Sequence, residues 1–233
     1  MPDAVLYGWP YVGLALAAGL LLYLVFEPRP ANATPRWRDP AFVLPLLWPM
    51  YIVHQFEEHG IDIFGRRYSF LEAFCHTIGY ASVDLCPADP VFIFCVNAIA
   101  VWVGGILAFV YRRRWPLLAA CAWGIPLVNT FTHVAGALRS GGYNPGLLTG
   151  LVLFLPMTYW MARTVVDAGL LRWRDMGWVV ASGVATHVVL LLSIVLYAGS
   201  AISWGTLQGV NALNGATPLL VAWWAERRRA RAQ

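Results

Sequence analysis

The chain has 233 residues, of which 59% are hydrophobic and 12% are charged, whereas a soluble domain carries about a quarter charged residues. This composition excludes a soluble globular protein. Because a bilayer span needs about 20 mostly apolar residues, the length leaves no room for a separate soluble catalytic domain. All 16 basic residues are arginines, in short runs beside apolar stretches. They form no basic groove interleaved with aromatic residues, so we predict no nucleic-acid partner.

Seven apolar segments predict an all-α, polytopic transmembrane bundle that forms a single domain over residues 1–233. The seven segments are 6–26, 42–59, 91–111, 115–138, 146–163, 177–199 and 204–224. The connections and termini between these spans are assigned alternately to the two sides of the membrane. One side then carries all the arginines except Arg66, Arg67 and Arg139. The positive-inside rule then predicts an outer N-terminus and a cytoplasmic C-terminus. Since lysine is absent, we expect a high-GC bacterial genome and a location in the bacterial cytoplasmic membrane.

The longest connection, residues 60–90, is predicted to lie on the outer side and to contain an interfacial lid helix. Cys75 and Cys86 both fall in this segment, on the oxidising side. They form either a disulfide or two free thiols. His59 and His76 are expected at or beyond the outer interface, solvated or hydrogen-bonded among the headgroups.

Ionisable groups at membrane depth cost roughly 2.5 to 3.5 kcal/mol on insertion scales, so they persist where they face a cavity, a partner or a metal. The second predicted span carries four of them. On a helix, His54, Glu57 and Glu58 share an arc about 100° wide, whereas His59 points elsewhere. A charged carboxylate inside a span needs compensation, which favours a functional pairing of His54 with Glu58.

Other spans add polar residues at a similar depth. Asn129 and His133 lie four apart on the fourth span, and the sixth span carries His187. At about 1.5 Å per residue, these side chains and the His54 and Glu58 pair fall in the middle and outer half of the membrane. The seventh span presents a stripe at the same level, made of Trp204, Gln208, Asn211 and Gly215. Taken alone, His187 is explained equally well by an interhelical hydrogen bond. The amide side chains of the seventh span are also explained by such bonds.

The segment His54-Gln55-Phe56-Glu57-Glu58 matches the His-x-x-Glu-Glu signature of the HXXEE-domain family of integral membrane proteins, which the chain resembles over residues 42–156. The resemblance also rests on two upstream prolines, the Asn129 and His133 pair, and a downstream tetrapeptide: Pro45, Pro49 and Tyr143-Asn144-Pro145-Gly146. The family has no settled biochemical role. The resemblance therefore implies a site and little about its substrate.

Imidazole and carboxylate together are ligands typical of zinc or non-haem iron. We predict a metal held by His54, Glu58, His133 and His187, with Glu57 either as general base or as ligand to a second metal. Asn129 is predicted to orient a ligand or the substrate. With one metal, the expected reaction is hydrolysis of a lipid-like ester or amide. A di-iron oxygenase is less favoured, because the chain has only five histidines.

The predicted substrate contacts are Asn211 and Gln208 within the bundle, and Arg139 and Tyr143 at its outer edge beside an anionic headgroup. Interhelical bonding and an ordinary interfacial arginine are the structural alternatives. The partners implied are a lipid-like or other hydrophobic small molecule and membrane lipids, and the oligomeric state is left open.

Two other functions fit the same residues. A metal-free isomerase or cyclase of an isoprenoid-like or sterol-like substrate would use His54 and Glu58 as acid and base. A transporter or an accessory subunit of a membrane complex is the non-catalytic alternative, although the spans show no internal repeat. Metal content separates the first alternative from the metal-dependent enzyme.

Overall fold

The computed structural model describes residues 1–231 and is all-helical there, apart from one isolated bridge between Ile61 and Arg67. Seven long helices and one short helix, α3, follow one another along the chain. They are α1 (Asp3–Phe26), α2 (Pro40–Val43, Leu44–Leu46 and Leu47–His59), α3 (Phe70–Thr77), α4 (Pro90–Tyr111), α5 (Pro116–Ser140), α6 (Leu147–Asp167), α7 (Trp173–Ala198) and α8 (Trp204–Leu213, Asn214–Ala216 and Thr217–Arg231). The all-α class predicted from the sequence is confirmed for the described residues.

Five of these helices, α1, α4, α5, α6 and α7, are long and apolar enough to cross a membrane. The other two predicted spans are also helical, in α2 and α8, but each is interrupted by a 3₁₀ turn. Charged residues lower the apolar character of both helices: α2 carries Glu57 and Glu58 and α8 ends in an arginine run. Seven spans and the direction of insertion therefore stay predictions.

Small residues bring α5 and α7 into close contact. A Cβ atom added to Gly183 of α7 would lie 2.0 Å from the carbonyl oxygen of Gly124 in α5, and one added to Gly124 would lie 1.9 Å from the carbonyl oxygen of Val179. Backbones approach this closely only where both helices lack side chains, as is common in membrane bundles. The crossing sets the position of α5, which carries Asn129 and His133.

Besides the 3₁₀ turn in α8, the helices α2, α4 and α6 depart from regular α geometry. Leu44–Leu46 forms a 3₁₀ turn around Pro45 in α2, as its ring predicts. Residues Cys95–Val101 of α4 and Gly150–Phe154 of α6 are π-helical. Insertions of this kind are rare and concentrate at functional sites, because they re-aim side chains and backbone groups.

The outer connection contains the predicted lid helix as α3, and a disulfide joins Cys75 in α3 to Cys86. The two thiols are therefore bonded rather than free. Before α3, the buried carboxylate of Asp62 accepts hydrogen bonds from the backbone N–H groups of Phe64 and Arg66, each at 2.9 Å, and from the Arg66 side chain and the Ser69 hydroxyl. Burial alone would raise the pKa of Asp62, but these donors outweigh it and hold the pKa below its usual value.

We expect Asp62→Asn to lower the stability of the outer connection at neutral pH by about 1–3 kcal/mol, because the amide cannot accept all four bonds. The stabilisation by the ionised Asp62 is complete above the unfolded-chain pKa of about 3.9 and is lost as pH falls through the lower folded pKa. Thermal unfolding in detergent from pH 7 to pH 3 measures this effect. The gap between wild type and variant should close in acid, and a gap that stays constant over this range would contradict the assignment.

Candidate metal site

Three side chains from α2 and α5 converge in the interior of the bundle. In α2, His54 Nε2 lies 3.4 Å from one oxygen of Glu58, and His133 Nε2 in α5 lies 3.1 Å from the other. One ligand atom from each of the three residues lies within 4.8 Å of the other two. All three side chains are at most 3% exposed. The helical spacing thus places His54 and Glu58 together as expected, and the fold adds His133.

The second ring nitrogen of His54 is held by a chain of hydrogen bonds. His54 Nδ1 lies 2.8 Å from the Thr149 hydroxyl oxygen in α6. Thr149 in turn donates its hydroxyl proton to Glu57. Since that proton goes to a carboxylate, the hydroxyl oxygen accepts from His54, which puts the ring proton on Nδ1. The lone pair of His54 Nε2 therefore faces Glu58.

His133 is held in the same way from the other side. Its Nδ1 lies 2.7 Å from Oδ1 of Asn144, an acceptor, so the proton of the neutral ring is again on Nδ1. His133 Nε2 then presents a lone pair to Glu58. Two imidazole lone pairs and one carboxylate repel each other unless a cation, a proton or a hydrogen-bond donor lies between them. Bonding of the distal ring nitrogen to an oxygen acceptor is typical of metal-binding histidines.

Glu57 does not join this cluster and instead fastens α6 to α2. It accepts hydrogen bonds from the Tyr143 hydroxyl at 2.5 Å, from the N–H groups of Leu148 and Thr149, and from the Thr149 hydroxyl. A carboxylate at a helix N-terminus satisfies free N–H groups and complements the helix dipole. Burial and the bond to Glu57 raise the pKa of Tyr143, which keeps its hydroxyl protonated. Glu57 is thus a positioning residue for His54, acting through Thr149.

Gly146 lets the connection between α5 and α6 pass directly over the cluster. Its φ of +92° is in the left-handed region that favours glycine. A Cβ atom there would lie 2.6 Å from Cε1 of His133 and 2.7 Å from Cε1 of His54. Both rings therefore occupy the space that any other residue at this position would fill.

We expect Gly146→Ala to displace both imidazoles and to lower metal affinity about 10- to 100-fold, the usual effect of disturbing the groups that orient ligands. Gly141→Ala is the matched control, because Gly141 also has a positive φ, of +67°, but has no atom within 4 Å of an added Cβ. Metal titration of both purified variants measures the difference. Equal affinities in the two variants would show that backbone strain alone, and not ring displacement, accounts for any loss.

A largely apolar cavity adjoins the cluster, bounded by α2, α3, α4, α5, α7 and α8. The volume of this cavity is about 70 Å³. Glu58 and Asn129 line it, as do the lid residues Phe70 and Phe74. Asn129 Nδ2 lies 2.9 Å from His54 Nε2 and 3.2 Å from His133 Nε2, so its amide bridges the two rings at the cavity wall. An orienting role for Asn129 stays a prediction.

His187 lies outside the three-residue ligand group. Its Nδ1 donates to the carbonyl oxygen of Gly183 at 2.8 Å, and its ring lines the same cavity as Glu58. A ligand role for His187 stays a prediction, and its observed contacts are those of a cavity residue. Asn211 also lines the cavity, whereas Gln208 is buried without lining it. Arg139 is exposed at the end of α5, and Tyr143 is bound to Glu57.

His59 does not lie among the headgroups as expected. It is 6% exposed, and its Nε2 lies 3.3 Å from the Glu58 carboxylate, between the rings of Trp9 and Phe70. Glu58 is thus approached by three imidazoles. Helical geometry alone directs His59 away from Glu58, and only the packing of α1 and α3 around it explains its burial. His76 is exposed as expected, with about half of its side chain in solvent.

Sequence reasoning missed two residues that hold the histidines. Asn144 belongs to the tetrapeptide that carries the family resemblance, so the motif itself pointed to a role. Thr149 gave no signal, because a threonine near the start of an apolar helix is common. Its contact with Glu57 depends on how α6 packs against α2.

The described residues thus form an all-helical protein with membrane-length helices. A buried cluster of two histidines and one carboxylate lies beside an apolar cavity. The family described as "Protein of unknown function with HXXEE motif" matches residues 45–161, half of the chain. The chain belongs to this HXXEE family, as the resemblance predicted. No curated protein and no solved structure matches the chain.

Proposed function

We propose that the chain is a membrane-embedded metal-dependent enzyme acting on a hydrophobic, lipid-like substrate, with His54, Glu58 and His133 as metal ligands. One observation carries the proposal: both histidines are held through Nδ1 and aim their Nε2 lone pairs at the same buried carboxylate. Two buried hydrogen bonds, one to each histidine, hold the rings in this orientation. A divalent cation between the three groups removes the repulsion that this orientation creates.

Two of the spacings within the cluster support a metal, and all three ligand atoms lie within 4.8 Å of one another. Ligands held 2.0–2.2 Å from zinc at tetrahedral angles lie about 3.3 Å apart, and the two histidine nitrogens lie 3.1 and 3.4 Å from the Glu58 oxygens. Two histidines and one carboxylate are the protein ligands of catalytic zinc sites and of non-haem iron sites. Such sites keep a coordination position open, and here Asn129 and the cavity lie beside the cluster.

Hydrolysis of an ester or amide is the reaction that we propose. The bound metal would act as a Lewis acid and lower the pKa of a water molecule to about 7. Glu58 and the two histidines hold the site, and Asn129 has an amide group within reach of it for orienting the substrate carbonyl. The lid residues Phe70 and Phe74 keep bulk water out of the cavity. We do not assign Glu57 the role of general base, since its oxygens accept hydrogen bonds from α6 and Tyr143.

A proton-transfer isomerase or cyclase is the second candidate, supported by the Asn129 contacts. The Asn129 amide donates towards both Nε2 atoms, so it satisfies them without a metal. A proton shared between His133 and Glu58 would relieve the remaining repulsion at 3.1 Å. In this case Glu58 and His133 move the proton, and the apolar cavity holds the substrate.

Elemental analysis of the detergent-purified protein separates the two candidates. We expect about one zinc or iron per chain in the wild type, retained in the surface control His76→Ala and lost in His54→Ala and Glu58→Ala. A wild type that carries no metal, and that binds none when zinc or ferrous iron is added, would contradict the proposed metalloenzyme and favour proton transfer.

We also propose that the site faces the outer half of a bacterial cytoplasmic membrane. The Cys75–Cys86 disulfide supports an outer position for residues 60–90, because disulfides persist on the oxidising side. The arginine run at the end of α8 then lies in the cytoplasm, in agreement with the positive-inside rule.

A further inference from the structure

The cavity has a second polar group that the metal site does not use. It lies where α7 and α8 face the π-helical turn of α4, and its members are Thr186, His187, Asn211 and Asn214. The backbones are close at this point, since a Cβ atom on Gly215 of α8 would lie 2.3 Å from the carbonyl oxygen of Ala100. Two irregular turns, Cys95–Val101 and Asn214–Ala216, meet here. The irregular backbone therefore shapes this part of the cavity.

Each donor atom of this group already has an acceptor inside the protein. Asn214 Nδ2 donates a proton to the Thr186 carbonyl oxygen, Asn214 Oδ1 accepts from Thr217, and the Thr186 hydroxyl donates to the Ser182 carbonyl oxygen. Asn211 Nδ2 donates to the Ser193 hydroxyl at 2.8 Å and to the carbonyl oxygen of Leu207 at 2.9 Å.

Two acceptors remain. Because the Leu207 carbonyl can only accept, it fixes which way the Asn211 amide points and leaves Oδ1 as an acceptor. Asn211 is completely buried, and among the described residues its Oδ1 has no hydrogen-bond partner. His187 donates from Nδ1 to Gly183, so Nε2 of the neutral ring is also an acceptor. A buried acceptor without a donor costs about 1–3 kcal/mol, which a suitable ligand would recover.

We propose that the cavity binds an apolar molecule carrying a hydroxyl group, which donates its proton to Asn211 Oδ1. Most of the remaining lining is aliphatic or aromatic, including Phe92, Ile93 and Leu190, so most of the ligand is hydrocarbon. The side chain of Asn97 also lines the cavity, and it is already bonded to the Ile93 carbonyl oxygen and to Gln55. A neutral hydroxyl suits this environment better than an ammonium group, which loses far more hydration free energy on burial. The inference rests on the proposed function only in stating which end of the ligand reacts. That end would lie near Glu58 and Asn129, which line the same cavity.

Photolabelling in lipid nanodiscs tests the proposal with two probes that differ only in the hydroxyl group. They are an octanol with a diazirine at its third carbon and the octane with the same diazirine. At equal concentration in the membrane, we expect the alcohol to label cavity residues of α4 and α7 about tenfold more than the alkane, the equivalent of one buried hydrogen bond. Equal labelling by the two probes would overturn the proposal.

Variants locate the hydrogen bond. Asn211→Leu should bring the labelling ratio close to one, whereas Thr206→Val, on the same helix but exposed and outside the cavity lining, should leave it unchanged. Asn211→Ala removes the same acceptor with a smaller side chain and should also bring the ratio close to one, which keeps the test decisive if Asn211→Leu fails to fold. A ratio that survives both cavity substitutions would contradict the assignment.

Metal content measured on the same samples separates this proposal from the metalloenzyme. Labelling needs no metal, so selective labelling of a protein that binds no metal would contradict the proposed function alone. Unselective labelling of a metal-loaded protein would contradict the hydroxyl site alone.

Discussion

Glu58→Gln is expected to lower the affinity for zinc or iron by more than about 100-fold, beyond the 10- to 100-fold typical of changes around a metal site. Glu58 is the only acid in the ligand group, so its replacement leaves two neutral imidazoles to hold a divalent ion. The change also removes the charge that three histidines surround. Metal competition against a chelator of known affinity measures the loss.

Glu57→Gln is the matched control, since it makes the same chemical change at the adjacent position. Glu57 accepts bonds from α6 and Tyr143 and touches the metal ligands only through Thr149. We expect a smaller loss, of about 10- to 100-fold, as His54 becomes less firmly oriented. Equal losses in the two variants would place Glu57 among the ligands, and a larger loss in Glu57→Gln would contradict the assignment of Glu58.

Gly183→Ala is expected to have the largest effect on the fold. The new Cβ would lie 2.0 Å from the Gly124 carbonyl oxygen, and no side-chain rotation relieves a contact between two backbones. The α5 and α7 helices must separate, which should cost more than the 1–3 kcal/mol typical of overpacking. Since α5 carries Asn129 and His133, metal binding should fall together with stability.

Gly177→Ala provides the control within α7, because a Cβ atom at Gly177 would have nothing within 4 Å. Thermal unfolding of the two variants in the same detergent measures the difference. We expect Gly177→Ala to unfold at the wild-type temperature or above, since alanine favours a helix. A Gly183→Ala protein with wild-type unfolding temperature and metal content would show that the helices do not meet at this crossing.

Helical periodicity predicted which residues of the site share a helix face. It placed His54 with Glu58 and Asn129 with His133, because residues four apart share a face of any α-helix. Depth counted along each helix then predicted that His133 would reach the same layer as His54, and the structure brings the two rings to a centroid separation of 5.0 Å. These predictions succeed because they depend on local geometry and on the fixed rise of the helix.

Periodicity could not give the contacts that depend on packing between helices. Glu57 shares an arc with Glu58 in projection, yet it turns towards the start of α6 because free N–H groups and Tyr143 lie there. His59 is buried by Trp9 and Phe70. The π-helical turns in α4 and α6 also left no mark on the apolar pattern, since both lie in almost uniformly apolar segments where a change of helical phase cannot be seen.

X-ray absorption at the metal edge tests whether His54, His133 and Glu58 hold one metal ion. Coordination by these residues predicts first neighbours of nitrogen and oxygen only, at about 2.0–2.2 Å, with the outer-shell scattering of two imidazole rings that disappears in part in His54→Ala. A sulfur neighbour at about 2.3 Å, or a spectrum without imidazole scattering, would contradict it.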